Sequence, residues 1–248
     1  MIDFFREKLK RFWKVLRKNT SLMVGFWVLV AMVVFYFFVP YVYPHEPLTM
    51  NFGAILSPPS ASNLAGTDEF GRDVLSRVMR GGQLSLMVGA FTMALTTVLG
   101  GVIGLVAGYF LRLDFVLMRI MDALMSFPSL VLALAILAAL GSNMFNVVIA
   151  LSIVYTPRTA RVVRSTVLSI KDEFYVEAAR GIGASTFRVL FFHVLPASMP
   201  SLIVQQTFVF AYAILGEAGL SFVGIGVQPP APSLGNILGD ARALIQTA

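Results

Sequence analysis

Two acidic residues, Asp122 and Glu217, interrupt long apolar stretches and are the first candidates for chemistry. An acid inside such a stretch usually faces a cavity or a partner, where it binds a cation or forms an ion pair. Asp122 follows Arg119 by three residues, which predicts a local ion pair between them. We expect Glu217 in the outer half of its helix, where it either meets a cationic substrate group or packs within a complex. Both are candidate residues of a pathway across a membrane.

Several other kinds of chemistry are excluded by what the sequence lacks. The two histidines, His45 and His193, are too few for a metal site, and there is no cysteine. The phosphate-binding pattern G-x-x-x-x-G-K-[ST] does not occur, so any ATP must be bound by another chain. Asp122 and Glu217 are expected at opposite depths and do not make a catalytic pair. We therefore expect a non-catalytic chain that binds neither a metal nor a cofactor.

The composition indicates a polytopic membrane protein. Hydrophobic residues make up 57% of the chain and charged residues 13%, against about 25% charged in a typical soluble domain. The apolar residues fall in runs of membrane-spanning length, which predicts an all-α fold. The net charge of +6 does not indicate nucleic acid, because the basic residues flank the apolar runs.

Five membrane spans are predicted from these runs, at residues 21–43, 84–110, 116–140, 145–163 and 201–220. Pro128 and Pro157 interrupt the third and fourth spans and predict kinks, which serve either packing or a pathway. The predicted spans divide the chain into four domains. These are a basic N-terminal segment (1–20), the first span (21–43), an extracytoplasmic segment (44–82) and a core (83–248) that includes a cytoplasmic loop (165–198).

The distribution of basic residues predicts the orientation. With the N-terminus in the cytoplasm, fifteen Lys or Arg lie on that side and four on the other, a strong positive-inside asymmetry. The segment "GTDEFGRDVLSRVMRGG" is then outside. Its spacing predicts an amphipathic surface helix with Thr67 or Asp68 as the N-cap and Gly81-Gly82 as the end.

The predicted cytoplasmic loop holds "EAARGIGAS" between two amphipathic stretches. This pattern indicates a helix, a tight turn and a second helix over residues 169–191, with Gly181 or Gly183 in the left-handed conformation. A structure of this length between two spans is best explained as the docking surface for a soluble partner.

These residues resemble a known motif. The sequence Glu177-Ala178-Ala179, followed by Gly183 and then Leu195-Pro196, is similar to the EAA loop of bacterial ABC importer permeases. His193 stands where that loop usually has isoleucine. The resemblance implies that the loop is a coupling helix that sits in a groove of an ATPase subunit.

Two further segments narrow the resemblance to the dipeptide, oligopeptide and nickel permeases, and to their C-type subunit. Residues 220–236, "LSFVGIGVQPPAPSLGN", resemble one segment of that subfamily. Residues 64–89 resemble its G-T-D-x-x-G-R-D-V-L-S-R signature, through Gly66, Thr67, Asp68, Gly71, Arg72 and Asp73.

The resemblance implies a type I ABC importer permease fold without the family's last span, in a bacterial cytoplasmic membrane. The implied partners are a second permease subunit, two subunits that bind ATP and magnesium, and an extracytoplasmic binding protein. The implied substrate is a di- or oligopeptide, with nickel, glutathione or another small solute as the alternative. The alternative function, from another class of transporter, is an ion-coupled secondary carrier, although such a carrier would not need the docking loop.

Overall fold

The computed structural model describes Trp13, residues 16–43 and residues 45–247, the last five of these as backbone only. Most of the predicted basic segment (1–20) lies outside these residues. Within the described chain the secondary structure is helical, apart from one isolated β-bridge between Thr67 and Asp73. The all-α prediction is therefore confirmed.

The helices of the described residues follow one another with short connections. In chain order they are α1 (Thr20–Phe37), α2 (Val39–Val42), α3 (Val74–Tyr109), α4 (Leu111–Met125), α5 (Ser129–Leu140), α6 (Met144–Ile170), α7 (Phe174–Gly181), α8 (Thr186–Val189), α9 (Leu195–Phe222) and α10 (Leu234–Thr247). A 3₁₀ turn (Phe52–Ala54) precedes α3, and a π-helix (Leu190–Val194) joins α8 to α9.

Among the described residues, three helical stretches are long and apolar enough to cross a membrane: Thr20–Val42, Val74–Tyr109 and Thr186–Phe222. The pair α4 and α5, bent by 93° at the break before Pro128, makes a fourth if the pair is one span. Helix α6 is not among them, because three arginines follow Pro157 in its second half. The count of five spans stays a prediction.

The chain divides into two compact units, Met1–Gln83 and Leu84–Ala248. The described residues of the second unit form two clusters of buried apolar side chains. One joins α5, α6 and α9, through Leu137, Leu151 and Leu220. The other packs Leu105 of α3 and Val163 of α6 against the segment that contains α7 and α8.

The prediction of a separate amphipathic helix before the second span is wrong. Helix α3 begins at Val74 and continues through Gly81-Gly82 without a break. Asp73, rather than Thr67 or Asp68, caps it, because its Oδ2 accepts a hydrogen bond from the Ser76 N–H at 2.7 Å. Gly82 serves close packing instead, since a Cβ there would overlap the ring of Tyr36.

Candidate functional site

The loop that carries Glu177-Ala178-Ala179 folds as a short helix, a turn and a second helix. Helix α7 ends at Gly181, and Gly183 has φ +84°, the left-handed conformation that glycine adopts without strain. The Ser185 side chain then accepts a hydrogen bond from the Arg188 N–H and caps α8. The predicted turn is confirmed, with Gly183 rather than Gly181 as its left-handed residue.

The second arm of the loop is not a separate helix. Residues Thr186–Phe222 form one continuous helical stretch, so the arm is the beginning of the predicted fifth span. The π-helix (Leu190–Val194) lies directly before Leu195-Pro196. Pro196 has no N–H to donate, and a wider turn at this point accommodates it without ending the helix.

The loop has a buried face and an exposed face. Val176, Ala179, Val189 and Val194 are buried in the cluster with α3 and α6. Other positions of the loop expose the large apolar side chains Phe174 (88%), Ile182 (88%), Phe187 (65%) and Phe192 (70%). We call the exposed side chains over residues 174–192 the docking face.

The EAA residues divide between these two faces. Ala179 packs inward, whereas Glu177 and Ala178 are exposed beside the docking face. The Arg180 guanidinium lies 5.2 Å from the centre of the Tyr109 ring at the end of α3, in cation–π contact. The loop is thus held by its inner face, and an acid and several aromatic side chains remain available. An exposed apolar patch rimmed by polar residues is typical of a protein interaction site.

Gly183 allows a direct test of the turn. Gly183→Ala is expected to destabilise the loop by about 1 kcal/mol because of its positive φ, and Gly183→Val by more because valine is β-branched. Within the described chain, no atom outside the local backbone lies within 4 Å of a Cβ at either Gly183 or Gly181, so steric contact is not a factor. Gly181→Ala is the matched control and should be neutral or stabilising. Thermal unfolding and uptake by the complex measure both effects, and equal behaviour of the Gly181 and Gly183 variants would contradict this account.

The predicted extracytoplasmic signature forms an internal network in the first unit. Asp68 accepts hydrogen bonds from the N–H groups of Phe70 and Arg72, both at 2.9 Å, and pairs with the guanidinium groups of Arg72 and Arg77. Burial alone would raise the pKa of Asp68, but the hydrogen bonds from the backbone of Arg72 and Phe70 and from the Arg72 side chain lower it below its usual value. Asp68 is thus held as a carboxylate.

The other signature residues complete this network. Asp73 accepts from the Tyr43 hydroxyl at 2.9 Å and from Asn63 Nδ2 at 3.0 Å, in addition to capping α3. Thr67 bonds the carbonyl of Ala54 and the N–H of Ser57. At Gly71 a Cβ would overlap the carbonyl oxygen of Asn51, and at Gly66 a Cβ would lie 2.6 Å from the Ser57 carbonyl oxygen. The signature therefore folds the segment before α3, and a contact of these residues with a binding protein stays a prediction.

Asp122 has a different partner from the one expected. Its carboxylate pairs with Arg161 of α6 at 2.5 Å, and both side chains are exposed. Arg119, the expected partner, lies over the Phe115 ring instead. A second ion pair, Asp114 with Arg164, also joins α4 to α6. The sequence spacing favoured a pair within one helix, but packing of α4 on α6 brought arginines from another helix into reach.

Glu217 is fully buried within the chain. Its carboxylate accepts hydrogen bonds from Ser85 of α3 at 2.6 Å and from Ser221 at 2.8 Å. The Ser221 hydroxyl in turn accepts from the Val227 N–H at 3.1 Å, in the segment after α9. This position favours the packing interpretation of Glu217 over a contact with substrate, because none of its surface is exposed.

Substitution of Glu217 should therefore change stability before it changes transport. Glu217→Gln can keep the hydrogen bonds with Ser85 and Ser221, because serine hydroxyls either donate or accept, and should retain uptake. Glu217→Leu leaves the buried Ser85 and Ser221 hydroxyls without this acceptor, at about 1–3 kcal/mol each. The melting temperature of the purified complex and uptake by the same preparation measure the effect. A Gln variant that is as stable as the parent but loses uptake would instead indicate a role in the pathway.

One residue that was not a candidate in the sequence lines a cavity. Arg158 counts among the fifteen basic residues assigned to the cytoplasmic side, although it falls within the predicted fourth span (145–163), and it lies midway along α6 beside the bend between α4 and α5. The sequence does contain a signal that marks Arg158 as unusual, because this arginine directly follows Pro157 inside an apolar stretch. An arginine within a membrane-spanning segment is unusual unless it faces a partner or water.

Comparison with known protein families agrees with the resemblance found in the sequence. Residues 100–245 match the family described as "Binding-protein-dependent transport system inner membrane component". Residues 8–59 match the family described as "N-terminal TM domain of oligopeptide transport permease C".

Individual relatives are similar over nearly the whole chain. The chain is 41% identical to the di/tripeptide transport system permease protein DppC of Pseudomonas aeruginosa, over 97% of this chain and 82% of that protein. It is 40% identical to the dipeptide transport system permease protein DppC of Alkalihalophilus pseudofirmus, over 95% and 78%. It is 36% identical to the glutathione transport system permease protein GsiD of Pectobacterium atrosepticum, over 96% and 80%.

Proposed function

The chain belongs to the family of binding-protein-dependent transport system inner membrane components, and from this membership we propose that it forms one half of the translocation pathway of an ATP-driven peptide importer. The second half is a related permease subunit. Two ATP-binding subunits lie on the cytoplasmic side with ATP and magnesium, and a binding protein delivers the substrate from outside. The N-terminus is cytoplasmic in this arrangement.

The observation that carries this proposal is the docking face. The loop is packed by Val176, Val189 and Val194 and yet leaves four large apolar side chains exposed in the segment that contains Glu177. Such a surface needs a partner. The resemblance of this loop to the EAA loop implies that the partner is an ATP-binding subunit. Because the loop continues directly into α9, a displacement of the docking face moves a membrane-spanning helix.

The substrate is a di- or oligopeptide. Relatives named for dipeptide and di/tripeptide transport support this choice, and the relative named for glutathione, itself a small peptide, keeps that substrate as the second candidate. All of these molecules carry at least one carboxylate and an amino group at neutral pH.

Reconstitution of the complete complex in proteoliposomes tests the proposal. With the binding protein outside and ATP inside, radiolabelled dipeptide should accumulate, and vanadate should stop it. A proton ionophore should leave uptake unchanged. Uptake that follows an imposed proton gradient without ATP would contradict the proposal and favour the ion-coupled carrier.

A further inference from the structure

A cavity lies at the bend between α4 and α5, where these helices face the middle of α6. Its volume is about 180 Å³, and its lining includes Met125, Phe127, Leu132, Tyr155 and Arg158. At about 30 Å³ for each molecule of liquid water, the cavity has room for roughly six waters or one amino-acid residue. It combines an apolar wall with a single cationic side chain.

Arg158 differs from the other two arginines of α6. Arg161 and Arg164 are neutralised by Asp122 and Asp114, with N–O distances of 2.5 Å. Within the part of the chain that the structure describes, the Arg158 guanidinium donates to no acceptor and pairs with no carboxylate. Its side chain is exposed. The arginine that lines the cavity is therefore the one α6 arginine whose charge is not compensated inside the described chain.

Aromatic residues position this guanidinium. It lies 5.8 Å from the centre of the Tyr212 ring on α9, in cation–π contact. The Tyr155 hydroxyl donates to the Tyr212 carbonyl oxygen at 3.1 Å and fixes the neighbouring ring. These contacts leave the five N–H donors of the guanidinium available for a ligand.

Arg158 lies within the predicted fourth span (145–163), where a purely structural role would be costly. It lies fourteen residues after Met144 and twelve before Ile170, about 21 Å and 18 Å from the two ends of α6 at 1.5 Å per residue. A charge inside a membrane-spanning segment is expensive, and such residues usually face a water-filled cavity or a substrate path.

We propose that Arg158 binds the carboxylate of the transported peptide in this cavity, an inference that rests on the peptide-import function proposed above. A guanidinium pairs with a carboxylate through two parallel hydrogen bonds, which selects for a free carboxylate over an amide. The apolar wall, which includes Phe127 and Leu132, receives the adjoining side chain of the peptide. The cavity is smaller than a whole dipeptide site, so the remainder of the peptide lies against the second permease subunit.

Charge restoration tests the role of Arg158 in transport. The 248 residues contain no cysteine, so Arg158→Cys introduces a single thiol into this chain. We expect dipeptide uptake to fall about tenfold with an unchanged yield of complex, in keeping with loss of a hydrogen bond to a charged group. Aminoethyl methanethiosulfonate, which restores a positive charge, should recover most of the uptake, and methyl methanethiosulfonate should not.

Two controls and two contrary outcomes make this experiment decisive. The parent complex treated with each reagent accounts for thiols on the partner subunits. Arg112→Cys removes an exposed arginine that does not line the cavity, and its uptake should respond to neither reagent. Recovery with the neutral reagent would overturn the proposal. A lower yield of complex would do so as well, because Arg158 would then pair with the second permease subunit.

Substrate protection tests the carboxylate without depending on ATP or on the binding protein. In a Met125→Cys complex, millimolar dipeptide should slow labelling of the thiol at least threefold, and the same dipeptide with a C-terminal amide should not. Adding Arg158→Gln should abolish the protection. Equal protection by the two peptides, or none by either, would overturn the proposal. Failure of ATP-driven peptide uptake by the parent complex would instead count against the function proposed above.

Discussion

Glu177→Lys is expected to lower ATP-driven uptake by at least about tenfold, the largest single effect predicted here. Glu177 is exposed beside the docking face, and it has no described side-chain partner within the chain that the substitution would disrupt. A reversed charge at a specific interface places like charges together, which costs several kcal/mol. The loss should therefore appear as weaker binding of the ATP-binding subunits or as ATP hydrolysis without transport.

The measurement compares uptake, ATP hydrolysis and recovery of the ATP-binding subunit on one affinity-purified preparation. Glu46→Lys is the matched control, because it reverses an exposed acid in the predicted extracytoplasmic segment. The control should retain all three properties. If Glu177→Lys recovers the ATP-binding subunit and transports at the parent rate, Glu177 is not part of the interface.

Gly104→Ala should lower the melting temperature of the complex by several degrees, although it adds only one methyl group. A Cβ at Gly104 would lie 2.5 Å from the carbonyl oxygen of Ala160 and 2.7 Å from the Val163 Cβ. A backbone oxygen cannot move aside, so α3 and α6 must separate, and overpacking of this kind costs about 1–3 kcal/mol. Small residues at such crossings let membrane helices approach closely.

Gly101→Ala is the matched control, three residues away on the same helix. Its Cβ would meet only the Leu202 Cδ2, at an ordinary 3.8 Å. Alanine also favours the helix over glycine, so this variant should be neutral or stabilising. Thermal unfolding of both complexes measures the difference. Equal melting temperatures for the two variants would mean that α3 and α6 do not pack through Gly104.

Local signals in the sequence predicted much of the fold. The apolar runs located α1, α3 and α9, and Pro128 marked the sharp bend between α4 and α5. Glycine spacing after a helix predicted a left-handed turn at Gly181 or Gly183, and the structure has it at Gly183. In each of these cases the signal lies within a few residues of the feature that it predicts, so no knowledge of tertiary packing was needed.

Features that depend on tertiary contacts were not predictable in the same way. The spacing predicts a helix end at Gly81-Gly82, but the helix continues there. Position 82 holds a glycine because the Tyr36 ring packs directly against it. It predicts a pair of Asp122 with Arg119, but Arg161 reaches the carboxylate from α6. Glu217 is a pathway candidate in the sequence, but serines from two segments satisfy it. In every case the deciding partner is distant in the sequence or belongs to another helix.

The docking face, over residues 174–192, is proposed to contact an ATP-binding subunit. Because the 248 residues contain no cysteine, Phe187→Cys provides a single thiol on this face, where Phe187 is 65% exposed. Phe52→Cys provides a comparably accessible thiol in the predicted extracytoplasmic segment, where Phe52 is 72% exposed. A thiol-to-amine cross-linker applied to the assembled complex should join the ATP-binding subunit to the Phe187→Cys variant and not to the Phe52→Cys variant. A cross-link from the Phe52→Cys variant with none from the Phe187→Cys variant would contradict the account.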